Sequence, residues 1–213
     1  MMSVLEKNQA LFHQLFNLLQ LDDKDPLAVV LFNYIIDMYS RPKRRYHDFR
    51  HIRKSLAILD KFADEAENLP ALTLAIWFHD IEQGPNHEQS SAETMKVFLR
   101  PFIKPSNQVL TELFVKQTAK LIWNTIHPSI PHFIDGQLIH DIDLHGFSLP
   151  FDHCLRNSQI ILSEALGKPE DARAGQKAWL KNLLAFGQIY HHPRFSVFEV
   201  QARNNIKRLI NNL

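Results

Sequence analysis

Ala75-Ile76-Trp77-Phe78-His79-Asp80 carries an apolar run straight into an adjacent histidine and aspartate. If that run is a buried helix, its C-terminal end takes an imidazole and a carboxylate out of water. Burying such a pair is costly unless something compensates the charge. A divalent metal ion does so, because both groups are good ligands for first-row metals. A His-Asp dipeptide by itself reads equally well as a solvated helix end. The metal reading requires further ligands from elsewhere in the chain.

Such ligands are present. His47 and His51 are four residues apart, so on a helix they share a face. Asp141 and Asp143 follow a third apolar segment. The set His51, His79, Asp80 and Asp141 supplies two imidazoles and two carboxylates. That mixture suits Mn, Fe, Co, Ni or Zn better than an all-oxygen site does, with Mg as a further option. Asp141 and Asp143 compete for the last place, and the other would orient a ligand histidine from behind. Open positions on the ion would hold water, whose lowered pKa makes a hydroxide nucleophile near neutral pH. His127, before Pro128, either interacts with the last carbonyls of its helix or contacts a substrate phosphate. His140 reads as a neighbour of the site, and His191-His192 as part of a final loop near the surface. Trp77, Phe78 and Trp123 read as core. His87-Glu88 lacks the second histidine of a zincin, and Cys154 has only His153 beside it as a base. No Gly-x-Ser-x-Gly elbow or P-loop occurs.

The elements that must position these residues are helices. Apolar residues recur with helical period over 3–20. Asp25-Pro26 marks an N-cap and first position for a helix to about Tyr39. Further helical patterns cover 48–67, Pro70 to Phe78, and His87 to Phe102. The longest runs from Ser106 to Ile126, where Pro128 and Pro131 stop it. A short apolar-periodic segment follows Asp135-Gly136, then helices over 150–166, 171–190 and 197–213. No alternating strand, repeat or low-complexity stretch is present, so the predicted class is all-α, a compact multi-helix bundle spanning 1–213 as one domain.

Composition narrows the function. Formal net charge is +1, which gives no global electrostatic case for nucleic acid or an acidic membrane. The basic connector Arg41–Arg45 is either a solvated loop or an attractor for an anionic substrate. One cysteine excludes an intrachain disulfide framework and a Cys-rich zinc site. The lack of a signal-like N-terminus and of a membrane-length apolar run gives the expectation of a soluble, cytoplasmic protein. The 12 histidines are many for 213 residues and are the compositional hint of chemistry.

Tyr46-His47-Asp48-Phe49-Arg50-His51, Trp77-Phe78-His79-Asp80 and Asp141-Ile142-Asp143-Leu144 together resemble the HD superfamily of metal-dependent phosphohydrolases. More narrowly, they look like its "predicted metal-dependent HD phosphohydrolase" branch. Glu88-Gln89-Ser90-Ser91-Ala92, Thr125-Ile126-His127 and Glu199–Asn205 match further elements, so the likeness covers roughly residues 40 to 210. Gln83 stands where that branch usually has an aromatic, and the loop over 82–86 looks shortened. The resemblance implies metal ligation by His51, His79, Asp80 and Asp141, with Asp80 serving catalysis as well. By likeness to cyclic-nucleotide phosphodiesterases, distant relatives, it gives His47 the role of general acid. The function so implied is hydrolysis of a phosphomonoester or phosphodiester, of a nucleotide or other small metabolite, with Arg50, the Arg41–Arg45 run and His127 on the phosphate. Two other classes are expected to compete: a di-iron oxygenase using His127 and His140 for a second iron, and a non-catalytic nucleotide-binding module.

Overall fold

The computed structural model describes residues 3–213. Among the described residues the chain is all-α, as expected, with no strand. The helices are α1 (Val4–Leu18), α2 (Pro26–Tyr39), α3 (Phe49–Leu59), α4 (Leu69–Phe78), α5 (His87–Leu99), α6 (Glu112–Trp123), α7 (Ile134–Leu144), α8 (Phe151–Glu164), α9 (Pro169–Ala185) and α10 (Glu199–Asn212). Short 3-10 segments extend α3, α5 and α7 and precede α10. No helix among these residues is long and apolar enough to cross a membrane. The chain forms two compact units whose segments alternate along the sequence, so no single cut separates them. One contains the residues through Ser40 with Asn68–Trp123, the other Arg41–Glu67 with Asn124–Leu213.

The first unit is built around α4. Asn68 starts it by accepting the Ala71 N–H at 3.1 Å, and Pro70 fills a first-turn position where no donor is needed. Every residue from Ala71 to Phe78 is buried, so α4 has no solvent face and packs against α1, α5 and α6. Aromatic rings fill the space beside it: Phe12 lies 4.3 Å from Phe16, 4.8 Å from Phe32 and 5.8 Å from Trp77. The Tyr39 hydroxyl donates to the Trp77 carbonyl at 3.0 Å, so even the last turn of α4 is tied down. Each large side chain buried this way contributes about 1.5–3 kcal/mol. That burial offsets the cost of a helix whose end carries ionisable groups.

The predicted helix over 106–126 is shorter than its periodicity suggests. Asn107 takes the Val109 and Leu110 N–H groups on its side-chain oxygen at 2.9 and 2.7 Å, and donates to the Leu19 carbonyl at 2.9 Å. A side chain that satisfies the backbone locally competes with the helix. Thr111 then caps α6 by accepting the Phe114 N–H at 3.1 Å.

In the second unit α3 and α7 pack together, and α8, α9 and α10 pack with one another. Asp48 begins α3 by accepting the Arg50 N–H at 2.7 Å. Tyr190 donates its hydroxyl to the Leu144 carbonyl at 3.1 Å at the end of α7, and Asn205 of α10 donates to the Phe147 and Leu149 carbonyls, each at 2.8 Å. The predicted helix over 171–190 ends early, at Ala185. Gly187 adopts a positive φ of 125°, and Glu199 accepts the Ile189 and Tyr190 N–H groups that would have continued the helix.

Candidate functional site

In the first unit, α4 delivers His79 and Asp80 to a buried position, with residue exposures of 2% and 7%. His79 caps the helix, its N–H bonded to the Ala75 carbonyl at 2.8 Å. Its Nδ1 lies 2.9 Å from the Ile76 carbonyl oxygen, which can only accept, so Nδ1 carries the proton. Nε2 is then the ring nitrogen turned toward Asp80, 3.0 Å from its Oδ2. An imidazole nitrogen and a carboxylate oxygen at that separation share a proton, or can share a cation. His87, at the start of α5, lies 3.6 Å from the other Asp80 oxygen and 3.5 Å from Glu88. The Asp80 carboxylate beside it raises the His87 pKa above its ordinary value, against the effect of burial. Glu82 serves the fold, accepting from Tyr34 at 3.1 Å and Thr94 at 2.8 Å.

In the second unit, α3 places His51 on its buried face with Ile52, Ser55, Leu56 and Leu59. His51 Nε2 lies 3.2 Å from Asp143 Oδ1. The other Asp143 oxygen, Oδ2, lies 2.9 Å from His127 Nε2. Asp143, not Asp141, is thus the α7 aspartate that meets His51, which corrects the expected ligand set. His127, expected on a substrate phosphate or on the last carbonyls of its helix, has its ring on Asp143. Its own carbonyl accepts the Trp179 indole N–H at 3.3 Å.

Asp141 is fully buried and its carboxylate is consumed by the fold. It accepts the backbone N–H groups of His191, at 2.9 and 3.0 Å, and of His192, at 2.7 Å. His140 Nδ1 lies 3.0 Å from the same group. Burial pushes the His140 pKa down to about 4, outweighing the hydrogen bond it donates to Asp141, so its imidazole is neutral at physiological pH. His192 is 2% exposed and not near the surface as predicted, because its N–H is drawn inward to Asp141. Burial likewise lowers the His192 pKa.

Sequence reasoning missed the partner of His47. Its Nδ1 lies 2.5 Å from Glu164 Oε2, at the end of α8. The other oxygen, Oε1, accepts the backbone N–H groups of Arg45 at 2.5 Å, Tyr46 at 2.6 Å and His47 at 3.1 Å. Burial alone would raise the Glu164 pKa, but His47 and these N–H groups outweigh it and lower the pKa. Successive N–H groups converging on one carboxylate form an anion nest. Arg50, expected on the substrate, is committed locally: Nε to Asp48 at 2.7 Å and Nη2 to the Arg45 carbonyl at 2.9 Å. Buried Arg44 donates to the His47 carbonyl at 3.0 Å, whereas Arg41, Lys43 and Arg45 are exposed. Cys154 is buried, and burial pushes its pKa up to about 11, which removes it as a nucleophile.

Taken as ligands, His51, His79, Asp80 and Asp143 make a group that could hold a metal ion, each offering one donor atom. Three of the four residues are buried. Two imidazoles and two carboxylates fit a divalent first-row metal, and the proton fixed on His79 Nδ1 leaves the correct nitrogen for ligation. No protein-family model, curated protein or solved structure matches the chain.

Proposed function

We propose that this protein is a metal-dependent phosphohydrolase in which His51, His79, Asp80 and Asp143 hold one divalent transition-metal ion. Its substrate is a phosphomonoester or phosphodiester, of a nucleotide or another small phosphorylated metabolite. One observation carries this: the buried imidazole of His79 and the buried carboxylate of Asp80 lie 3.0 Å apart within a group of four residues that could hold an ion. When bound, such an ion polarises a phosphoryl oxygen and lowers the pKa of a water molecule.

The chain's own residues supply the rest. His127 holds the far oxygen of Asp143. Glu164 takes the Nδ1 side of His47, which fixes the ring and leaves Nε2 to hand a proton to the leaving oxygen. The carboxylate beside the ring stabilises the imidazolium that this role needs. Arg41, Lys43 and Arg45, exposed on the connector that leads to His47, are suited to draw an anionic substrate. Arg50 is not needed for that role.

The test is metal content of the purified protein, followed by phosphate release across a panel of phosphoesters under Mn, Fe, Co, Ni, Zn and Mg. Stoichiometric metal and turnover, both lost in Asp80→Ala, are expected. Full metal occupancy with no turnover on any phosphoester would overturn the hydrolase. Two irons per chain with oxygen consumption would replace it with an oxygenase.

A further inference from the structure

We infer that His127 is a positioning residue that orients Asp143 and thereby sets the affinity of the metal centre. This rests on the metal-centre reading above and deepens it.

A carboxylate on a helix turns freely about two bonds unless each oxygen is engaged. Asp143 has both engaged, Oδ1 facing His51 Nε2 at 3.2 Å and Oδ2 bonded to His127 Nε2 at 2.9 Å. The second contact holds one oxygen back, so the other is presented as a single donor atom. A ligand held this way loses less rotamer freedom on binding an ion.

His127 is itself held from several directions. Its side chain is 7% exposed, so the bond to Asp143 is shielded from competing water. Its carbonyl is fixed by Trp179. Its ring packs edge-to-face on His140, with centroids 4.5 Å apart. His140 in turn is pinned by Asp141, which is anchored by the N–H groups of His191 and His192. The ring that orients Asp143 thus stands on a rigid, buried hydrogen-bonded support. A histidine that merely filled space would not need its Nε2 aimed at a carboxylate.

His127→Leu removes the donor and keeps the bulk, and His127→Gln returns an amide N–H near the position of Nε2. Metal affinity is measured on folded protein by competition with a chromophoric chelator. His127→Leu should bind roughly 10–100-fold more weakly than wild type, the usual effect of losing such a support, and His127→Gln should recover most of that loss. In an Asp143→Asn background His127→Leu should cost nothing further, because its effect passes through Asp143. Unchanged affinity in His127→Leu overturns the inference while leaving the metal centre intact. An equal loss in the Asp143→Asn background, or no rescue by glutamine, assigns the defect to packing and overturns it as well. A wild-type protein that binds no metal overturns the metal centre itself and this inference with it.

Discussion

Replacing Asp141 should damage folding rather than ligation, because its carboxylate is spent on the fold. Three donors converge on it: the N–H of His191, the N–H of His192 at 2.7 Å and Nδ1 of His140 at 3.0 Å. Two of these bonds, to His192 and His140, are fully buried. A buried donor left without a partner costs about 1–3 kcal/mol, so Asp141→Ala should lose roughly 2–6 kcal/mol from these two alone. Typical domains are stable by only about 5–15 kcal/mol, so the alanine variant should be close to unfolding. Asp141→Asn keeps one acceptor oxygen but turns an amide toward the donors, and should lose roughly 1–3 kcal/mol. The assay is urea unfolding of metal-free protein, paired with metal affinity at low urea, where both variants of the pair Asp141→Asn and Asp143→Asn are folded. Asp141→Asn should lower the unfolding midpoint and leave metal binding largely intact. Asp143→Asn should do the reverse. A wild-type midpoint for Asp141→Asn together with loss of metal would refute the reasoning and return the ligand role to Asp141.

Three further outcomes follow from the same geometry. Glu164→Gln should lower turnover with metal content unchanged, by up to the ~10²–10⁴-fold that general acid catalysis is worth, and the defect should shrink on substrates with nitrophenolate leaving groups; equal defects on good and poor leaving groups would remove His47 from the acid role. The pKa of Glu164 is lowered in the folded chain, so its contribution to stability is present above its ordinary value of 4.5 and is lost as pH falls through the folded value; Glu164→Gln should therefore flatten the acid limb of the unfolding midpoint. His140 is shifted from 6.5 down to about 4, so between those values the unfolded chain binds the extra proton and stability falls as pH falls. His140→Asn should make that slope in metal-free protein shallower, and an unchanged slope would show that His140 is not buried as a neutral ring.

Parts of this arrangement are written in local sequence. Asp25-Pro26 gives the start of α2, because the cap and the fixed φ of proline act within a single turn. The apolar run before His79-Asp80 gives a buried helix ending in an imidazole and a carboxylate, because a helix apolar on all sides has nowhere else to go. The choice between Asp141 and Asp143 is not local. At about 100° per residue they sit on nearly opposite faces, roughly 160° apart, and which face meets His51 depends on how α7 is rotated against α3. Glu164 carries no local signal for a role with His47, from which it lies 117 positions away. The His191-His192 pair looks like surface loop because it falls between two helical patterns and directly before Pro193; a single buried carboxylate draws its N–H groups inward. Asn107 stops a helix that periodicity would continue, since its competing hydrogen bonds are invisible to hydrophobic pattern.

The metal centre is tested most directly by elemental analysis of the purified, folded protein. The wild-type chain should carry at least one divalent transition-metal ion, and Asp80→Ala should carry none while its helical circular dichroism is unchanged. Stoichiometric metal retained in Asp80→Ala, or a folded wild-type chain that takes up no Mn, Fe, Co, Ni or Zn when supplied in excess, would contradict the assignment of His51, His79, Asp80 and Asp143 as its ligands.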